Sequence, residues 1–122
     1  MYEQDFIRVN DFMIHYAHAG TGPPLILLHG GGTWHYSFRH NIAELSRYFS
    51  VYAPDMPGHG FTIPPARHLR YNLDTVAETL TGFMDALGIE KTHLLGHSWG
   101  GGWAIHFLQN EASRVDKLGI IA

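Results

Sequence analysis

Gly96-His97-Ser98-Trp99-Gly100 sets a serine between two glycines, each two residues away. The short apolar run Lys91-Thr92-His93-Leu94-Leu95 precedes it, and the helix-compatible run Gly101 to Leu108 follows. A serine on a sharp strand-to-helix turn is pushed out of the backbone envelope, where its hydroxyl can attack a carbonyl carbon. Gly96 and Gly100 suit that turn because strand and helix backbones nearly touch there and a Cβ would clash. The first amides of the helix face the same point, and the helix dipole favours negative charge beside them. The same five residues alone also fit a solvated surface turn. The strand before, the helix after and a further glycine at position 101 favour the catalytic turn.

The elements that must position this serine are legible in outline. Phe6 to Val9 and Met13 to Ala17 are strand-like, and Asn10-Asp11 between them predicts a tight hairpin. Gly20-Thr21-Gly22-Pro23-Pro24 breaks the chain before Leu25-Ile26-Leu27-Leu28, which is apolar on both faces as a buried parallel strand must be. Apolar residues at 34, 38, 42, 45 and 49 recur at helical spacing and predict a helix from Trp34 to Phe49. Val51 to Ala53 is a strand, and positions 57–68, with Pro57, Gly58, Gly60, Pro64 and Pro65, form a loop. Leu73, Val76, Ala77, Leu80, Phe83, Met84 and Leu87 make the clearest helix, capped by Asn72 and Gly88. Val115 to Ala122 is a last strand. After the hairpin, strands and helices alternate. This predicts an α/β fold: a mostly parallel sheet of about six strands opening with an antiparallel hairpin, helices on both faces.

Composition narrows the function classes. The chain has 122 residues, 45% apolar and 16% charged, which suits one globular domain. Net charge is −3 and basic residues are scattered, so no nucleic-acid surface is expected. There is no cysteine, hence no disulfide framework or thiolate metal site. The acidic start and the lack of a long apolar run predict no leader and no membrane span, with a cytoplasmic location. Ten histidines invite a metal site, but no H-E-x-x-H motif occurs and His15 and His18 fall on opposite faces of a strand. No metal and no cofactor are expected.

Three segments then agree. Leu25 to Leu28 ends in His29-Gly30-Gly31-Gly32, the next strand in Asp55-Met56-Pro57-Gly58-His59-Gly60, and the third in the serine turn. In this order they resemble the α/β-hydrolase fold family, in its esterase, lipase and epoxide-hydrolase-like branch, over the whole chain. The resemblance implies that Ser98 is the nucleophile and that the amides of Gly31 and Trp99 form an oxyanion hole. It implies that His29, Gly30, Gly32, Trp34, Gly96, His97 and Gly100 shape the site, and that Asp55 and Gly58 shape a nearby turn. Epoxide-opening and halide-displacing relatives carry aspartate at the turn. Serine implies acyl transfer on a small-molecule substrate: ester, thioester, lactone, amide or a carbon–carbon bond beside a carbonyl. Trp34 and Trp99 fit a pocket lining and a core position equally, whereas Trp103 reads as core.

The chain departs from the family in one respect. A family serine is served by a later acid and then a histidine. After Ser98 come only His106, Glu111 and Asp116. His106 lies eight residues along a helix, about 12 Å away, and Asp116 belongs to the wrong end of the sheet. The expectation is the amino-terminal part of one hydrolase domain, without lid, last strands, triad acid or triad histidine. Two classes stay open: a serine hydrolase completed by other residues, or a noncatalytic fragment or binding module. Leu118 to Ala122 is uncharged and apolar, so self-association or a partner chain is expected at the last strand.

Overall fold

A computed structural model describes residues 1–66 and 71–122. The opening strands β1 (Glu3–Val9) and β2 (Phe12–Ala19) form the antiparallel hairpin. Its turn places Asn10 at φ 53°, a left-handed conformation that asparagine tolerates. Next come β3 (Pro24–Leu28), a 3₁₀ turn at His35–Phe38, the short helix α1 (Ile42–Leu45) and β4 (Ser50–Pro54). The chain continues through α2 (Leu73–Leu87), β5 (Thr92–His97), α3 (Trp99–Asn110) and β6 (Val115–Ile121). Strand order is β1-β2-β4-β3-β5-β6, antiparallel as far as β4 and parallel beyond it.

The central strand β3 is buried on both faces, and its alternation divides the core in two. Ile26 and Leu28 pack with Val76, Leu80, Phe83 and Met84 of α2 and with Ala104 and Phe107 of α3. Leu25 and Leu27 face the other way, onto Phe38, Ile42, Val51 and Ala53. Helix α2 has the expected bounds. The Asn72 side chain accepts the Thr75 N–H at its start, and Gly88 at φ 71° closes it.

The helix expected from Trp34 to Phe49 is not continuous. Trp34 is extended, Ser37, Arg39 and Asn41 donate to the carbonyls three residues back, and α-helical bonding begins only with Leu45 to Asn41. The cause is tertiary. The Asp55 carboxylate accepts both the backbone and the ring N–H of His35, anchoring this segment to the end of β4. Phe38 and Ile42 are still buried, so the apolar spacing reported burial correctly and helix continuity wrongly. The loop expected at 57–68 is irregular through 66 but pinned, since Ile63 exchanges two backbone hydrogen bonds with Met13. Its Arg67 and His68 lie outside the described residues.

Candidate functional site

The turn between β5 and α3 carries backbone strain at one residue. Ser98 has φ 56° and ψ −118°, one of two non-glycine residues with positive φ among those described. Such a conformation costs on the order of 1–3 kcal/mol and persists only where the surroundings enforce it. Here the Ser98 N–H donates to Ile121 O at 2.9 Å and its carbonyl accepts from Gly101 N at 2.9 Å. The flanking glycines are required by contact. A Cβ on Gly96 would lie 2.4 Å from Gly100 O, and one on Gly100 would lie 2.1 Å from Leu28 O. Ser98 itself is exposed.

Leu28 pairs with Gly96, so the loop His29–Gly32 leaves β3 level with the turn that leaves β5. A Cβ on Gly30 would stand 3.5 Å from Ser98 Cβ and from His97 O, and one on Gly31 only 2.2 Å from Trp99 Cδ1. Gly30, Gly31, His97, Ser98 and Trp99 are thus one contiguous group. The N–H groups of Gly31 and Trp99 donate to no acceptor among the described residues.

Buried polar groups hold the loop. His29, with no exposed surface, donates from Nδ1 to Gly30 O at 2.8 Å and accepts the Met56 N–H on Nε2 at 3.0 Å. Burial lowers its pKa from 6.5 to about 4, so the ring is neutral at neutral pH. Gly32 donates its N–H to His59 Nε2 at 3.0 Å. Asp55, fully buried, accepts from His15 Nδ1, His35 Nδ1 and the His35 N–H at 2.8 Å each, and from the Phe61 N–H at 3.0 Å. Burial alone would raise its pKa, but the hydrogen bonds from His35 and Phe61 outweigh that and hold the carboxyl below its usual range. Gly60 is forced, since a Cβ there would meet Asp55 Cγ at 2.4 Å.

His15, His35 and Asp55 present one ligand atom each within 4.8 Å of one another. With four N–H donors on the carboxylate, the cluster reads as a completed hydrogen-bond network rather than an open coordination sphere. Sequence reasoning missed it. His15 and Asp55 are 40 residues apart, and no local pattern connects them.

A cavity of about 640 Å³ opens beside the turn, lined by Gly31, Gly32, Pro57, His59, Tyr71, Asn72, Leu73, Val76, Trp99 and Trp103. Trp99 is 63% exposed over it. Trp103, read as core, both packs on the core and forms a cavity wall, edge-on to His29 and His59. Trp34 does not reach the cavity and packs against His35, Tyr36 and Phe61. A second groove of about 510 Å³, lined by Asn10, Asp11, Glu78, Asp85 and Glu111 among others, shares no residue with the first and lies at the hairpin turn. The first adjoins the serine turn through Gly31 and Trp99. His106 Nε2 pairs with Asp74 Oδ1 at 2.9 Å, on the α2 side of α3, and Asp116 is exposed at the start of β6. Neither joins Ser98.

The sequence profile of the alpha/beta hydrolase fold matches residues 23–122. Epoxide hydrolase 3 of Siraitia grosvenorii is 39% identical over 113 residues, covering 92% of this chain and 36% of that protein. Among solved structures, an epoxide hydrolase mutant from Vigna radiata superimposes with a TM-score of 0.93 at 30% identity, over 99% of this chain and 38% of that one. A serine-to-alanine variant of the meta-cleavage product hydrolase of Pseudomonas fluorescens superimposes with a TM-score of 0.89 at 38% identity, over 93% and 43%. The chain therefore spans about two fifths of the proteins it matches.

Proposed function

Since the chain belongs to the alpha/beta hydrolase fold family, we propose that it carries the nucleophile and oxyanion hole of a serine hydrolase, with Ser98 as the nucleophile. The carrying observation is the strained, exposed Ser98 beside two uncommitted backbone N–H groups. The epoxide hydrolases it resembles open epoxides. A serine at the turn suits attack on a carbonyl instead, and the likeness to a meta-cleavage product hydrolase agrees with a reaction other than epoxide opening.

In the proposed reaction Ser98 Oγ attacks the carbonyl carbon of the substrate. The carbonyl π pair moves to oxygen, and the Gly31 and Trp99 N–H groups donate to that oxyanion. A general base takes the serine proton and passes it to the leaving group, giving an acyl-enzyme that water then hydrolyses. Loss of one such donor typically costs about 10² to 10³ in rate. His106, the one histidine after Ser98 in the sequence, pairs with Asp74 and not with Ser98, so it is not the base in this reading. The apolar walls Leu73, Val76, Trp99 and Trp103 favour an apolar acyl or acyl-like group.

That same engagement of His106 favours a second reading, a noncatalytic chain that keeps the pocket. Ser98→Ala in the full-length protein separates the two: loss of nitrophenyl-ester hydrolysis supports the serine hydrolase, and unchanged turnover, with contamination excluded, rejects it.

A further inference from the structure

The loop Gly30-Gly31-Gly32 has no side chain with which to hold itself, and three consecutive glycines have large backbone freedom. A donor group lowers a barrier only if it is already in place when charge develops. Something outside the loop must therefore fix it. His29 fixes the first end, by bonding Gly30 O and Met56 N. At the other end Thr33 closes a turn, donating its N–H at 3.2 Å and its Oγ1 hydroxyl at 2.6 Å to Gly30 O, and the bond that reaches the loop from a distant segment is the Gly32 N–H donating to His59 Nε2 at 3.0 Å.

His59 is arranged to accept that bond. Its Nδ1 donates to Pro57 O at 3.0 Å, which assigns the proton to Nδ1 and leaves the Nε2 lone pair facing Gly32. Its ring is held by His29, with centroids 4.9 Å apart, and by the Trp103 indole at 5.7 Å. Gly32 sits at φ 75°, a conformation that glycine adopts freely, inside the turn that Thr33 closes onto Gly30 O. The result is a division of labour along the loop. The Gly32 amide is spent on His59, and the Gly31 amide is left without an acceptor among the described residues.

We propose that His59 is a positioning residue, a neutral imidazole acceptor that latches Gly32 and so presents the Gly31 amide to the oxyanion. The proposal rests on the serine-hydrolase reading for its effect on rate, and on the Gly32–His59 bond alone for its structural content.

The test uses two variants of the full-length protein. His59→Phe keeps a ring against His29 and Trp103 but removes the acceptor. His59→Gln keeps an acceptor oxygen near the place of Nε2. The expected result is a kcat for nitrophenyl-ester hydrolysis lowered about tenfold or more in His59→Phe, KM changed far less, and most of the loss recovered in His59→Gln. In ¹⁵N-labelled protein, His59 shows the Nδ1-protonated tautomer and a coupling from the Gly32 amide nitrogen to Nε2. The Gly32 amide proton moves upfield in His59→Phe and not in His59→Gln. Full kcat in His59→Phe, or a loss that glutamine does not recover, overturns the proposal. So does a protonated Nε2. Where His59→Phe does not fold, the tautomer and the coupling in the unmutated protein decide. If Ser98→Ala retains activity, the hydrolase reading fails, while the spectroscopic result still decides the latch.

Discussion

Gly31 lies under the indole of Trp99: a Cβ on the glycine would stand 2.2 Å from Trp99 Cδ1. The two residues proposed to supply oxyanion donors are thus in direct contact, although 68 positions separate them. Gly31→Ala forces the indole to swing, and Trp99 is exposed enough to allow it. We expect a stability loss under about 1 kcal/mol, as at other surface sites, together with a fall in kcat of at least tenfold as the donor pair separates. Denaturant midpoints and steady-state kinetics on the same preparation check the split. A parallel loss in both would mean that Gly31 matters only for folding.

Ser98 holds a positive φ that glycine adopts without strain. Ser98→Gly is therefore expected to stabilise the protein by about 1 kcal/mol while ending acyl transfer. Ser98→Ala, which keeps a Cβ in the strained conformation, ends it with no such gain. Thermal melts of the two variants side by side check the difference.

His29 and Asp55 predict two separate acid windows. The unfolded chain protonates His29 near pH 6.5, whereas the folded protein holds it neutral to about 4. Between those values the unfolded state binds the extra proton, so stability falls as pH drops from 6.5 to 4 and this contribution levels off below. The loss from this residue is about 3 kcal/mol. Asp55, with its pKa lowered, contributes stability that is present above about 3.9, the ordinary aspartate value, and is lost as pH falls through the lower folded value. Denaturant midpoints measured from pH 7 to 4 should slope downward in the parent and be nearly flat in His29→Gln.

Strand β6 pairs on one side with β5 and stands last in the sheet order, with Ile120 and Ile121 each 47% exposed. We expect the 122-residue chain to associate through this edge, which offers unpaired backbone groups and apolar side chains to another chain. Light scattering over a concentration series should show growth that Ile120→Lys reduces. A concentration-independent monomer would contradict the expectation.

Features fixed by neighbours in the chain were legible in the residues. The Asn10 hairpin turn, α2 with its Asn72 and Gly88 caps, and the glycines around Ser98 all follow from local backbone demands. Features fixed across the chain were not. Asp55 reaches His35 over 20 residues and reshapes a segment whose apolar spacing suits a helix. His59 reaches Gly32 over 27, and its place in the Asp55–Gly60 segment gives no sign of that partner. Trp103 packs on the core as its position suggests, and its second role was not legible: a helix residue one turn past the serine can pack on the core with one edge and wall a cavity with the other.

The central claim is that Ser98 becomes acylated. Intact-mass and peptide mass spectrometry of the full-length protein after treatment with a fluorophosphonate tests it directly, since such a probe leaves a stable adduct on an activated serine. The predicted result is one adduct per chain, mapped to the peptide containing Ser98 and missing in Ser98→Ala. Ester turnover that persists in Ser98→Ala, or an adduct mapped to another residue, would contradict the account.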